Sequence, residues 1–200
     1  LKALDIYYDE ATMLQRDIKD KLEEYPRLES FLDEEREYHL DKSCEWVSDL
    51  LAELEENLEE HEKNPEDRKM TVNLKIKRKG IPSYGEGLIV RGDFDCNFLT
   101  PCIKCLAPAA ETAKGEFSAV FITNKFEDAE EFDENLSLWA DNSELEVYFH
   151  DRGKCHIKKV VHEHIYLGLN PYPLHSENCK GLCGTCGSDL NHEDCGHGAQ

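Results

Sequence analysis

The chain has 200 residues, 40% of them hydrophobic, which is enough for one or two cores, and no run approaches the roughly 18 apolar residues that a membrane helix needs. Its 43 Asp and Glu against 23 Lys and Arg give a formal net charge of −20, which repels phosphates at long range and argues against a nonspecific RNA- or DNA-binding body. Nine cysteines with no basic n-region leading into an apolar run point to a reducing compartment, the cytoplasm, where thiolates bind metal instead of pairing.

Residues 1–63 read as an acidic helical arm. This stretch lacks glycine, and its one proline, Pro26, separates two helical pieces. In the second piece Ser43 is the expected cap. Val47, Leu50, Leu51, Leu54 and Leu58 recur at spacings of three and four, while Glu53, Glu55, Glu56, Glu59 and Glu60 fill the other face. The stripe fits a helix packed on the body or an amphipathic arm that receives a partner. Through Asn64 the chain carries 21 acidic and 8 basic residues, about −13 of its charge, so this third is the expected docking surface for a cation.

A break at Asn64, Pro65, Glu66 and Asp67 leads into a body over 70–170, where the period changes. Residues 71–79 alternate, with Val72, Leu74 and Ile76 against Asn73, Lys75 and Lys77, as a half-buried strand does. Strands are also predicted over 87–99, 111–123 and 145–149, the first three forming an antiparallel meander, with an acidic loop over 127–135. Ile157, Val160, Val161, Ile165, Leu167 and Leu169 fit a short helix that stops at Asn170-Pro171. The fold class expected is α+β: a helical N-terminal arm, an antiparallel sheet body, and a cysteine-rich zinc-binding tail over 171–200.

Six cysteines fall as Cys102-x-x-Cys105, Cys179-x3-Cys183-x-x-Cys186 and Cys195. A two-residue spacer lets both thiolates of a knuckle reach one tetrahedral ion, and Gly187 after Cys186 can take the positive φ that such a turn wants. One zinc site of Cys102, Cys105, Cys183 and Cys186 is preferred, because two knuckles across one ion would staple the tail to the sheet. The competing partition makes a tail site of Cys183, Cys186, Cys195 and His197 and leaves Cys102, Cys105 and Cys179 with His175 as a second. Either site would be closed and structural. Cys44, Cys96 and Cys155 have no spaced partners and read as small core residues or plain thiols.

The remaining chemistry is sparse. His162-Glu163-His164 is not H-E-x-x-H and its members do not share a helix face, and no nucleophile elbow, phosphate loop or dinucleotide fingerprint occurs. No enzyme is expected. Lys75, Lys77 and Lys79 lie on the strand face away from Leu74 and Ile76, where they are RNA-binding candidates or an ordinary soluble face.

The run Gly92-Asp93-Phe94-Asp95-Cys96 leading to Cys102-Ile103-Lys104-Cys105-Leu106, then Glu163 to Pro171, then Cys179-Lys180-Gly181-Leu182-Cys183-Gly184-Thr185-Cys186-Gly187-Ser188-Asp189-Leu190-Asn191, resembles the YceD family, the large ribosomal RNA subunit accumulation proteins. The resemblance starts at about Met70. It implies a non-catalytic ribosome biogenesis factor that supports large-subunit ribosomal RNA accumulation and processing. Here the family's last C-x-C reads Cys195-Gly196-His197, an exchange zinc accepts. The implied partners are a ribosomal protein or pre-ribosomal particle, with ribosomal RNA as a further one, and neither a membrane nor a small-molecule substrate. Two rivals are an acidic chaperone for a basic ribosomal protein, and an RNA-processing enzyme, which no motif supports.

Overall fold

Alternation of apolar and polar residues over 70–76, and continuous apolar runs over 88–90 and 119–122, build the longest elements. A computed structural model of the chain describes residues 22–63, 68–132 and 136–197. Strand β2 (Lys69–Ile81) turns Met70, Val72, Leu74 and Ile76 inward and its lysines outward. It runs through a turn with Ser83 and Gly85 at positive φ into β3 (Gly85–Pro101), which continues through the cysteine knuckle into β4 (Pro108–Thr123). All three pair antiparallel, as the sequence predicts.

The strand expected over 145–149 is present, with a short unexpected strand before it. Ala140 pairs with Ser143 across Asp141-Asn142, both at positive φ, so β5 (Ser137–Ala140) and β6 (Ser143–His150) form a hairpin with the two-residue turn that twisted strands favour. The hairpin inserts β6 between β4 and β5, and β6 therefore runs parallel to β4. The body is a mostly antiparallel six-stranded sheet of order β1-β2-β3-β4-β6-β5.

The N-terminal segment is not helical throughout. Arg36–Asp41 forms β1, which joins the sheet beside β2 with Tyr38 and Leu40 facing the core. The first part of the expected Ser43-capped helix holds as α1 (Glu45–Leu54), with Trp46, Val47, Leu50, Leu51 and Leu54 buried, and the expected continuation to Leu58 is not helical. Cys44 occupies its N-cap position, because Ser43 donates its own N–H to Asp41 (2.7 Å) and stays one residue outside. Helical phase ends at Leu54, so Glu55 turns inward instead of facing solvent, accepting a hydrogen bond from Leu99 N (3.2 Å) and pairing with Arg68. The predicted helical piece before Leu22, the break at 64–67 and the end of the acidic loop at 133–135 lie outside the described residues.

Helix α2 (Ile157–Leu167) packs Ile157, Val160, Val161 and Ile165 on the same sheet face as α1, and Lys158 ties the two helices through Glu53 (2.8 Å). A smaller apolar cluster of Ile89, Val120, Ile122, Leu145, Val147 and Phe132 covers the opposite face at the β6 end. Among the described residues no helix is long and apolar enough to cross a membrane.

Candidate metal centres

The knuckle between β3 and β4 is closed by its own backbone. Cys102 N donates to Ala107 O (2.8 Å) and Leu106 N donates to Cys102 O (2.9 Å), with Leu106 at φ 66°. This fold-back points Cys102 and Cys105 to one side. The chain after α2 then runs along the knuckle: Ile103 N donates to Pro173 O (2.9 Å) and Leu182 N donates to Lys104 O (3.0 Å). Between these two anchors lie His175 and Cys179, which are thereby delivered to the two knuckle thiols.

The first cluster is Cys102, Cys105, His175 and Cys179, whose ligand atoms all lie within 4.8 Å of one another. Cys102 Sγ is 3.7 Å from Cys179 Sγ, and Cys105 Sγ is 3.1 Å from His175 Nδ1. The three cysteines are buried. Burial opposes ionisation of Cys102, but hydrogen bonds from His175 and from the backbone of Lys104 and Cys105 outweigh it, and the thiol is pulled down to about 5. Cys105 is pushed up to about 11 by burial and by the neighbouring sulfurs of Cys179 and Cys102. A bound cation reverses such repulsion between clustered thiols.

The second cluster is Cys183, Cys186, Cys195 and His197, again within 4.8 Å. Gly187 N donates to Cys183 O (2.8 Å) and Cys183 N to Ser188 O (2.8 Å), with Gly187 at φ 75° as the spacing predicts. The C-terminal turn, with Gly196 at φ 73°, brings His197 Nδ1 to 3.9 Å from Cys183 Sγ and 3.4 Å from Cys195 Sγ. Backbone N–H groups of Cys186 and Thr185 aimed at Cys183 pull its thiol down to about 6. Cys186 and His197 are exposed, in contrast to the first cluster.

The preferred single set of Cys102, Cys105, Cys183 and Cys186 is therefore not assembled, and the structure instead gathers the two sets of the competing partition. The reason lies at Gly181. With φ 78° it turns the chain away just after Cys179, and a Cβ there would stand 3.1 Å from Lys104 O. Cys183 consequently begins a separate knuckle. Asn191, which the sequence marks only as the end of the run that resembles the family, ties the tail together through its side chain: Nδ2 reaches Cys179 Sγ (3.7 Å) and Oδ1 accepts from Lys180 N (2.8 Å). Both clusters offer three thiolates and one imidazole and could hold a metal ion.

Cys96 and Cys155 lie in the main core, where burial pushes their thiols up to about 11 and about 12. Lys75, Lys77 and Lys79 share the sheet face opposite the helices, as expected, but each has a carboxylate partner. Lys75 meets Glu37 (3.1 Å), while Lys77 (2.7 Å), Lys79 (2.6 Å) and Arg91 (2.8 Å) converge on Asp141 in the β5–β6 turn. Hydrogen bonds from Lys77 and Lys79 hold the Asp141 carboxyl well below the usual carboxylate range.

No curated protein and no solved structure matches this chain significantly. The family model described as large ribosomal RNA subunit accumulation protein YceD matches residues 90–200. That span is more than half of the chain, starts within β3 and takes in all eight residues of the two clusters. Through this match the chain belongs to the YceD family.

Proposed function

We propose that the chain is a non-catalytic factor of large-subunit ribosome biogenesis, supporting ribosomal RNA accumulation and processing by binding, with two zinc ions fixing its C-terminal segment. Membership of the family over residues 90–200 carries this reading. Three thiolates and one imidazole are a donor set that suits zinc. Around a tetrahedral zinc with Zn–S of about 2.3 Å two sulfurs stand about 3.8 Å apart. The Cys102–Cys179 separation of 3.7 Å fits that geometry. Four protein ligands leave no open position for a reactive water, which favours binding over catalysis.

The partner is a basic ribosomal protein or a pre-ribosomal particle, since a net charge of −20 attracts cations. An acidic chaperone for a basic ribosomal protein is the second reading, favoured by the same charge. Ribosomal RNA contact through Lys75, Lys77 and Lys79 has to compete with Glu37 and Asp141, so the lysine face takes the lesser part. None of the nine cysteines is paired in a disulfide, which suits the cytoplasm.

Depletion from the cell of origin should lower the ratio of large-subunit to small-subunit ribosomal RNA, and wild-type protein should restore it. An unchanged ratio contradicts the reading. Cleavage of precursor ribosomal RNA by the purified chain alone would replace it with the enzyme.

A further inference from the structure

The edge of β4 that faces away from β3 is used only from Ala119 to Thr123, which pair with Glu146 to His150 of β6. From Pro108 to Ser118 that edge has no strand beside it, and no backbone hydrogen bond from another element reaches it, among the described residues. Such an edge offers a row of unpaired N–H and C=O groups.

A groove of about 1110 Å³ opens where β4 and β6 part. Glu116, Phe117 and Ser118 line it in succession. Residues of β4 and of β6 both line it, and their pairing stops at Ala119, one residue beyond Ser118. Phe117, Phe121, Val147 and Phe149 give it apolar walls. Its ionisable lining is lopsided: Glu116, Glu127, Glu144, Glu146 and Glu163 against the one amine of Lys159, itself 3.7 Å from Glu163, and the imidazoles of His156 and His164, the latter 3.1 Å from Glu146. Glu116 and Glu127 meet no cationic side chain among the described residues.

We propose that this groove takes an extended, lysine- or arginine-rich protein segment, which adds to the β4 edge as a strand and sets its basic side chains against the carboxylates. Main-chain pairing supplies affinity in this mode, and alternate side chains supply selection. Nucleic acid is disfavoured because the rim repels phosphate, and a second copy is disfavoured because both carry a net charge of −20. The inference rests on the biogenesis reading only for the partner's identity.

The probe is a blocked peptide of about ten alternating lysines and valines, titrated into the full chain at low salt by fluorescence anisotropy. Two forms N-methylated at either set of alternate residues each lose the donors of one edge. The parent peptide should bind, one methylated form should lose at least about tenfold, and the other should retain most of its affinity. Glu116→Gln with Glu144→Gln should weaken the parent about tenfold, as loss of two or three exposed charge contacts implies. Lys114→Gln, on the same strand outside the groove, should leave it no weaker. Absence of binding, equal binding of the two methylated forms, or indifference to the double variant overturns the assignment. An RNA oligonucleotide that competes with the peptide also overturns it. If these arms fail while the chain still cosediments with large-subunit precursors, the groove assignment falls and the biogenesis reading stands; absence of cosedimentation by the wild-type chain counts against the latter alone.

Discussion

Cysteines of one sequence are divided by their surroundings into two kinds. Cys102 and Cys183 are pulled down to about 5 and 6 by the N–H groups around them, whereas burial pushes Cys96 and Cys155 up to about 11 and 12. Cys105 is pushed up to about 11 as well, so it is the gathering of ligand atoms, more than acidity, that separates the metal cysteines from the core ones. Cys102→Ser should therefore lower the bound metal by one ion per chain and reduce thermal stability, while Cys155→Ser leaves the metal content unchanged; elemental analysis and a melting curve read both. His150 makes a separate prediction. It is buried, accepts from Gly153 N (3.2 Å), and burial lowers its pKa from the ordinary 6.5. The unfolded chain then binds more protons than the folded one, so this contribution is present above pH 6.5 and is lost as pH falls towards the folded value. Asparagine keeps an acceptor without titrating. His150→Asn should flatten the loss of stability between about pH 7 and 5 in denaturant titrations.

Elements with long, regular alternation or a continuous apolar run were legible in the sequence, and those fixed by tertiary contact were not. β2 shows the alternation, β3 and β4 carry the continuous apolar runs Leu88–Val90 and Ala119–Ile122 that a strand buried on both faces has, and α2 shows its stripe from Ile157 to Ile165. β1 carries its alternation on only two buried residues, Tyr38 and Leu40, among charges that read as helix. β5 has four residues, and only its two-residue turn with β6 fixes it. Asp141 in that turn neutralises part of a basic row whose lysines alone had suggested RNA. At the element scale α1 belongs to the main core, with Leu50 almost fully buried. Leu50→Ala should cost about 2–5 kcal/mol in denaturant unfolding, against well under about 1 for an exposed alanine replacement on the same helix. In β3, a Cβ at Gly92 would stand 2.7 Å from Asn73 O and from Phe117 Cζ. Gly92→Ala should destabilise by about 1–3 kcal/mol, the usual penalty of overpacking.

Across the whole molecule the first cluster fastens the tail to the end of β3 and β4, and the second shapes the tail beyond it. The candidate ligands were legible from spacing, but their partition was not, because it depends on the path set by Pro173, Lys104 and Gly181. Exposure separates the two clusters: Cys102, Cys105 and Cys179 are buried, while Cys186 and His197 face solvent. A chelator should accordingly remove metal in two phases, the faster one sparing the melting of the sheet; a single phase that unfolds the sheet would speak against this order. The most direct test of two separate centres is the metal content of protein purified reduced and without chelator. Two zinc ions per chain are predicted, falling to one in Cys186→Ser and to one in Cys102→Ser; a ratio of one in the unaltered chain, abolished by either substitution, would restore the single four-thiolate site, and a ratio of zero would remove both centres.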